Sequence, residues 1–370
     1  MAAALSILHV LRAPAGGLFR HVRDLARAQA GAGHRVGVLC DARTGDAAAD
    51  ALCQALLGHC ALGVHRVAMP RLPGSGDLTA LIRVAAVVGT LKPVIVHGHG
   101  AKGGLYARLA AGRAGTRAFY TPHGGVLHYG WTSPVGASFL LVERALLSRT
   151  AGLVFVCDYE RKTFAGKIGL AGRPARVVHN GLWPEDFGAI APARDGADVV
   201  FIGELRRLKG VDVLLEAIAA ATRRLGRPVT ARIVGEGPER GRLESASRTL
   251  GLAAAVTFLG AMPALAALRQ GRVMVIPSRA ESFPYVMLEA MAAGMPLIAS
   301  DVGGIAEAVE PQALVAPGDS AALAEALVNI LVDPVSAQRA ATARMERARE
   351  RFSAIRMGAE ITDFYTASGP

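Results

Sequence analysis

The feature of this sequence that most constrains its fold is the stretch over residues 273–304, which reads VMVIPSRAESFPYVMLEAMAAGMPLIASDVGG. An apolar run, a loop, a run of helix-forming residues and a second apolar run follow one another in it. Proline suits the first turn of a helix and glycine its C-terminal cap, so we expect a helix from near Pro284 to Gly294. The stretch therefore predicts a strand, a helix and a second strand, the repeating unit of a parallel α/β sheet.

The same alternation begins near the start of the chain. Residues 5–10 predict a strand and 12–17 a glycine-rich turn. Apolar residues then recur at helical spacing over 18–30, and 35–40 predicts the next strand. The later apolar runs of this half, each followed by helix-forming residues, lie at 94–97, 118–121 and 153–157. This pattern indicates a doubly wound parallel sheet.

The second half repeats the pattern after residues 182–198, which are rich in Pro, Gly, Asp and Ala and have no clear period. Its predicted strands lie at 199–202, 230–234, 255–259, 273–276 and 297–300, and its helices at about 210–225, 238–250, 263–270, 285–293 and 319–331. At 370 residues the chain exceeds what one hydrophobic core usually organises. We expect one domain over 1–185, a second over 186–350, and a C-terminal helix over 351–370 that returns to the first.

The net charge of +11 is concentrated in the first half of the chain. Residues 1–190 contain 21 Lys and Arg against 10 Asp and Glu, whereas residues 191–370 contain 20 of each. A basic half attracts anionic lipid headgroups, nucleic acid or phosphorylated substrates, or else its arginines only solubilise the surface. Because no helix has a continuous basic face with interleaved aromatics, we expect no nucleic-acid partner.

Cysteines and apolar runs bear on the location of the protein. The four cysteines form no CxxC pair and no zinc-like spacing, which indicates reduced thiols in the cytosol. The first apolar run is about one strand long and has no basic leader, unlike a secretory signal. The best candidate for a membrane span, residues 78–96, is interrupted by Arg83, Lys92 and Pro93. We expect a cytoplasmic protein that can lie peripherally at the inner face of a membrane.

Two acids of the 273–304 stretch are candidates for ligand binding. Backbone N–H groups near Phe283, Tyr285 and Val286 would lie at the positive end of the helix dipole, where a diphosphate is favoured. Glu281 precedes the helix, and Glu289 lies about one turn inside it, where its carboxylate could accept hydrogen bonds from a ribose diol. Alternatively, Glu281 is only a helix-start carboxylate and Glu289 an ordinary exposed residue.

This stretch resembles the E-x7-E donor motif of glycosyltransferase family 4, including the EAMAAGMP core and the Gly-Gly that follows it. The resemblance implies the GT-B fold, an α/β architecture with two Rossmann-like doubly wound domains facing a central cleft. It implies a retaining transfer, of hexosyltransferase type, from a nucleotide-diphosphate sugar without a cofactor. In that family's scheme Glu281 orients the sugar hydroxyls and Glu289 holds the ribose.

Residues 201–217, FIGELRRLKGVDVLLEA, resemble the family segment in which an Arg and a Lys clamp the donor diphosphate. Lys209 matches directly. The family's Arg directly after the glycine is replaced by Glu204, so either Arg206 or Arg207 supplies this charge, and we favour Arg206.

Two glycine pairs resemble further family elements. Gly235 and Gly237, in VGEGPER, match the turn beside the nucleotide base, although such a turn could simply cap a strand. Gly16 and Gly17, in PAGGLF, match amides that approach the phosphate, and a tight turn with positive φ explains them equally well.

His123, in TPHGG, follows a predicted strand, where ligands gather in open α/β sheets, and it resembles the family histidine that contacts the donor sugar. His97 and His99 also lie at a strand end, but we interpret them as structural. The sequence offers this pair no third ligand nearby, so we expect no zinc site.

The absence of an Asp-x-Asp motif argues against the metal-dependent, single-domain class of transferases, so we expect a metal-independent reaction. The basic first domain fits a glycan or lipid-linked acceptor at an anionic membrane, as in bacterial polysaccharide or envelope biosynthesis. The alternatives are a sugar-nucleotide epimerase or phosphorylase of the same fold, or a nucleic-acid-binding protein without enzymatic activity.

Overall fold

The computed structural model describes residues 4–45, 47–112 and 115–368. The chain divides into two compact units. Unit 1 contains the residues up to Gly181 and those from Ser353 onward, and unit 2 runs from Leu182 to Phe352. The boundaries expected at residues 185 and 350 thus differ from these divisions by a few residues at each end.

Unit 1 is a parallel sheet with crossover helices. Its strands are β1 (Ser6–Leu11), β2 (Arg35–Asp41), β3 (Val64–Val67), β4 (Ile95–His99), β5 (Arg117–Thr121), β6 (Gly152–Phe155) and β7 (Ala175–Val177). Its first helices are α1 (Gly16–Gly31), α2 (Ala47–Leu57), α3 (Gly76–Leu91), α4 (Gly100–Ala110), α5 (Pro134–Leu146) and α6 (Asp158–Lys167). Among the described residues the strand order is β3-β2-β1-β4-β5-β6-β7. The order reverses between β1 and β4, which is where doubly wound sheets bind ligands.

Unit 2 repeats this arrangement. Its strands are β8 (Ala197–Ile202), β9 (Ala231–Val234), β10 (Val256–Gly260), β11 (Gly271–Ile276), β12 (Leu297–Ser300) and β13 (Leu314–Val315). Its helices are α7 (Val211–Leu225), α8 (Arg240–Thr249), α9 (Ala264–Leu268), α10 (Tyr285–Ala292), α11 (Ser320–Val332) and α12 (Pro334–Arg351). Over the described part of the unit the order is β10-β9-β8-β11-β12-β13, with the reversal between β8 and β11. Two doubly wound α/β units are therefore present, as predicted.

The strands that the sequence analysis did not anticipate are β3, β7 and β13. Each is the edge strand of its sheet and has two to four residues. Their side chains are mostly half-buried, whereas central strands such as β2 and β4 are buried almost throughout. A strand buried on both faces produces a continuous apolar run, and a short edge strand does not.

The last helix, α13 (Ala354–Ala367), belongs to unit 1. It contributes Met357, Ile361 and Tyr365 to a buried cluster that also contains Ile7 of β1 and Leu25 of α1. This helix lies within the tail that was expected to return to the first domain. Residues 369 and 370 of that tail lie outside the described residues.

Among the described helices, none is long and apolar enough by itself to cross a membrane. Within the described part of the chain, only the pair α11 and α12 would together be long and apolar enough, and these helices are bent by 101° relative to each other. Within unit 2, α11 contributes Leu323, Ala324 and Leu327 to the buried core.

Candidate active site

The site is built where two neighbouring strands of unit 2 end. Lys209 follows β8 and Glu281 follows β11, and these strands flank the reversal of strand order. The Lys209 Nζ atom donates a hydrogen bond to Glu281 Oε1 at 2.6 Å. Ser278 Oγ donates to the same oxygen at 2.7 Å. The fold thus brings together two predicted residues that are 72 positions apart.

A second ion pair holds the loops that carry these residues. Arg279 donates to both carboxylate oxygens of Asp212, at 2.7 and 3.0 Å, and its side chain also donates to the carbonyl of Arg207. The backbone N–H of Arg279 donates to the carbonyl of Leu208. Burial raises the pKa of Asp212, but the hydrogen bonds from Arg279 outweigh it and hold that pKa below its usual value. The paired loops keep Lys209 close to Glu281.

Sequence reasoning missed both Arg279 and Asp212. Their partnership spans 67 residues, and neither lies in a motif whose spacing points to the other. The only available signal was position, since Asp212 lies in the first turn of α7 and Arg279 is two residues before Glu281.

Gly210 explains how the two loops come so close. Its φ is +67°, and a Cβ atom at this position would lie 1.9 Å from the carbonyl oxygen of Pro277. No side chain fits there, and positive φ is a conformation that glycine adopts without strain. In the Lys-Gly pair, Gly210 is therefore needed for loop packing, and Lys209 supplies the charge.

Helix α10 begins and ends close to the predicted positions. Pro284 is the residue before its first turn, and Gly294 follows its end with a φ of +62°. The side chains of Phe283 and Tyr285 are buried. The N–H role predicted for these two residues stays a prediction.

Only one face of α10 is accessible. Val286 and Glu289 are half-buried, and the other helical residues are buried. Residues three apart lie on the same helix face, so the Glu289 carboxylate shares that face with the N-terminal residue Val286. The ribose role of Glu289 requires this accessibility, and it stays a prediction.

The second cation predicted for the diphosphate is already paired. Arg206 Nε lies 2.6 Å from Glu204 Oε1, and the side chains are 41% and 51% exposed. Exposed ion pairs contribute little to stability, so releasing Arg206 toward an anion costs little free energy. Arg207 is exposed and begins the short 3-10 turn that ends at Lys209. The choice between Arg206 and Arg207 therefore remains open.

Gly235 and Gly237 meet other backbone segments closely. A Cβ atom on Gly235 would lie 1.9 Å from the carbonyl oxygen of Gly203, and one on Gly237 would lie 2.4 Å from that of Leu205. This close packing accounts for both glycines without a ligand. Their contact with a nucleotide base stays a prediction.

In unit 1, Gly16 and Gly17 are exposed at the N-terminus of α1, directly after β1. The positive φ expected of a tight turn occurs at Gly16, which has a φ of +69°. Gly17 lies inside the helix, so the prediction that a turn extends through Gly17 and the helix begins at residue 18 is wrong. Helix geometry needs no positive φ, and a glycine can occupy the first turn.

His123 lies two residues after β5 with a φ of +53°, and its Nε2 atom is 3.1 Å from His99 Nδ1. The expectation that the 97/99 pair has no third ligand nearby is wrong. His9 lies opposite His97 in the register of β1 and β4, and the ring of His21 lies 4.6 Å from that of His123. Parallel pairing brings together strands that are remote in sequence, which sequence spacing cannot reveal.

These histidines are neutral at pH 7. Burial lowers the pKa of His9 and of His21 to about 4, and it holds the pKa values of His97, His99 and His123 well below 6.5. Desolvation penalises the charged imidazolium, so each ring presents one N–H and one lone pair.

Comparison with known proteins identifies related families in both halves. A model described as "Glycosyl transferases group 1" matches residues 196–333, and one described as "Glycosyl transferase 4-like domain" matches residues 16–181. Glycogen synthase from Mycobacterium tuberculosis is 30% identical over 394 aligned positions, covering 95% of this chain and 91% of the relative. The 2-deoxystreptamine glucosyltransferase of Streptomyces kanamyceticus is 32% identical, covering 52% of this chain and 54% of the relative.

Two solved structures share the fold over nearly the whole length. Sucrose-phosphate synthase from Thermosynechococcus elongatus has a TM-score of 0.81 at 24% identity, covering 98% of each chain. Anabaena HepE, solved in complex with UDP-glucose, has a TM-score of 0.81 at 22% identity, covering 98% of this chain and 100% of HepE.

Proposed function

The chain belongs to the GT-B glycosyltransferases, and we propose that it transfers a sugar, with retention, from a nucleotide-diphosphate donor bound by unit 2. The observation that carries this proposal is the hydrogen-bonded group of Lys209, Glu281 and Ser278 beside the start of α10. It lies at the reversal of strand order, where open α/β sheets bind nucleotides. The UDP-glucose complex of HepE supports a donor of this class.

The diphosphate is the leaving group, and its negative charge must be stabilised as the glycosidic bond breaks. We assign this role to Lys209, to Arg206 or Arg207, and to the N-terminus of α10 near Phe283, Tyr285 and Val286. A helix N-terminus carries a partial positive charge that favours a diphosphate. No cofactor is assigned to this step, and we expect it to be independent of metal ions.

Glu281 is proposed to orient the sugar hydroxyls. Its Oε1 atom already accepts hydrogen bonds from Lys209 and Ser278, which hold the carboxylate in one position. A carboxylate has further lone pairs with which it can accept from hydroxyl groups. Glu289 would hold the ribose, and Gly235 and Gly237 would lie beside the base.

For unit 1 we carry over the roles that the family resemblance implies. His123 would contact the donor sugar, and Gly16 and Gly17 would contact the diphosphate. The neutral state of His123 suits a hydrogen bond to a hydroxyl group.

The chemical step is proposed as a front-face substitution. The acceptor hydroxyl attacks the anomeric carbon, the bond from that carbon to the diphosphate breaks, and the departing diphosphate takes the hydroxyl proton. The protein's contribution is then charge stabilisation and orientation, as the site residues suggest.

The acceptor is proposed to be a glycan or a lipid-linked saccharide, at the cytoplasmic face of an anionic membrane. The supporting features are the basic first half of the chain and exposed apolar side chains of unit 1, among them Trp131, Leu141 and Val142. Basic surfaces attract anionic lipid headgroups, and exposed aromatic and aliphatic side chains can enter the headgroup region. Assembly of a polysaccharide or envelope glycan is the pathway we propose.

A panel of nucleotide sugars tests the donor assignment. A ligand that binds only the folded state raises the melting temperature, so the true donor should stabilise the wild-type protein. The Lys209→Ala variant should lose most of this shift, whereas Arg248→Ala, an exposed change on α8, should keep it. A donor-induced shift of equal size in Lys209→Ala would contradict the site. Release of free nucleotide only when an acceptor is added would exclude an epimerase.

A further inference from the structure

Three histidines of unit 1 converge on one point, and we call them the histidine triad: His21 of α1, His99 of β4 and His123. One ring nitrogen of each lies within 4.8 Å of the corresponding nitrogens of the other two. His21 and His99 are buried, and His123 is half-buried, so the triad is reachable from one side.

The lone pair of His99 is directed toward the triad by a chain of hydrogen bonds. Gln29 Oε1 can only accept, so His9 Nε2, 2.8 Å away, carries the proton. His9 Nδ1 must then accept from His99 Nε2 at 3.0 Å. This leaves the lone pair of His99 on Nδ1, the atom that faces His123.

His21 is oriented in the same way by Asn180. Its Nδ1 atom lies 2.9 Å from Asn180 Oδ1, which accepts the Nδ1 proton. The lone pair is therefore on Nε2. That atom is buried and has no hydrogen-bond partner among the described residues. Buried polar atoms are rarely left unpaired, and an ion or a water often explains the exceptions.

The neighbouring group of His9, His97 and His99 also meets the distance criterion, but its nitrogens are all engaged. His97 pairs with Thr121 at 2.8 Å and with Tyr365 at 2.5 Å. No lone pair remains in that group for a metal, apart from the His99 Nδ1 atom that it shares with the triad.

We propose that the histidine triad is a binding site for a divalent transition metal of the Zn²⁺ class. Neutral imidazole is the ligand type that Zn²⁺, Co²⁺, Ni²⁺ and Cu²⁺ share. Two of the ligands donate a hydrogen bond from their other ring nitrogen: His99 donates to His9, and His21 donates to Asn180. This is the usual outer-shell arrangement of metal-bound histidines.

Metal binding requires one local change, at His123. In the metal-free protein the Nε2 proton of His123 covers the His99 lone pair. On binding, His123 presents its other tautomer and the metal replaces that proton between the two rings. Three histidine ligands leave the fourth position of a tetrahedral Zn²⁺ site for water or for an oxygen atom of a ligand.

The test uses the full-length protein without a polyhistidine tag, after treatment with EDTA and dialysis. Calorimetric titration with ZnCl₂ should give about one strong site per chain, and Co²⁺ should produce the visible absorption of a tetrahedral site. The His21→Gln variant should lose at least about 100-fold in Zn²⁺ affinity, more than the loss of an outer-shell partner.

His97→Gln is the matched control, because it removes a buried histidine that lies beside the triad and outside it. It should retain the wild-type Zn²⁺ affinity and the Co²⁺ spectrum. Equal Zn²⁺ affinity in wild type and His21→Gln, or an affinity that falls equally in His97→Gln, would overturn the proposal.

His123→Gln is a second ligand variant that is expected to stay folded, because His123 is half-buried and follows a strand end rather than lying in the core. It should also lose the strong site, with an unchanged circular dichroism spectrum. Retention of the strong site in this folded variant would contradict the role of His123 as a ligand. The binding measurements do not depend on sugar transfer, so the metal site and the proposed function can fail separately.

Discussion

At the scale of single residues, Glu281 and Lys209 form the hydrogen-bonded centre of the candidate site. Lys209 donates a short hydrogen bond to Glu281, and Ser278 donates a second one to the same carboxylate oxygen. The pattern of residues 273–304 predicted the importance of Glu281, but the direct pairing with Lys209 became visible only in the structure. Substitutions at these residues should therefore lower turnover more than they lower the stability of the fold.

Replacing Glu281 with glutamine should lower kcat/KM by about 100- to 1,000-fold, because the amide cannot replace a carboxylate that orients hydroxyls in the transition state. Steady-state kinetics with the identified donor measures this. Glu325→Gln, on the exposed face of α11, is the control for the loss of one acid. Near wild-type activity in Glu281→Gln would refute the site.

Replacing Glu289 with glutamine should have a different effect. A ribose contact persists from ground state to transition state, so its loss raises KM by about tenfold and changes kcat little. The two kinetic constants measured separately distinguish the cases. A fall in kcat with an unchanged KM would place Glu289 at the reacting sugar instead.

The buried histidines predict a loss of stability in acid. Their pKa values are lower in the folded protein than the ordinary value of 6.5, so below that pH the unfolded state binds more protons. The free energy of unfolding is therefore unaffected by these histidines at pH 7 and falls as the pH drops from 6.5 toward 4. The loss is at most about 1.4 kcal/mol per histidine per pH unit. Urea titrations of EDTA-treated protein at pH 7 and 5.5 test this. A free energy of unfolding that is equal at both pH values would contradict it.

At the scale of elements, the strand–loop–helix units determine where the functional residues lie. The central strands and their helices could be predicted from apolar runs and glycine or proline positions, as α10 illustrates. The edge strands β3, β7 and β13 could not, because half-buried edges need no apolar run. The contact between the loops after β8 and β11, through Arg279 and Asp212, also has no local signal.

Gly210→Ala tests that loop contact. The new methyl group would meet the Pro277 carbonyl, so we expect a loss of roughly 1–3 kcal/mol of stability and weaker donor binding. Gly226→Ala is the matched control, since Gly226 has a similar φ of +63° and no atom within 4 Å of the added Cβ. The two variants should differ in urea denaturation. Equal costs would show that φ alone, rather than the Pro277 contact, requires Gly210.

At the scale of the whole molecule, charge is distributed unequally along the chain, with an excess of 11 positive charges in residues 1–190 and balance in the remainder. We expect binding to vesicles that contain anionic lipid, weakened by salt because exposed charges are screened. Cosedimentation with neutral and anionic vesicles at two salt concentrations measures this. Binding that is indifferent to anionic lipid would remove the main support for a membrane-facing acceptor.

The sequence by itself determined the class of the fold and the position of the donor motif, because buried parallel strands and helix ends leave local patterns of apolar residues, proline and glycine. Only the tertiary structure decided which distant residues meet. Glu281 pairs with Lys209 because β8 and β11 are neighbours, and His99 meets His21 and His123 because parallel strands place remote segments side by side. Strand order depends on packing over the whole sheet, and no local pattern encodes it.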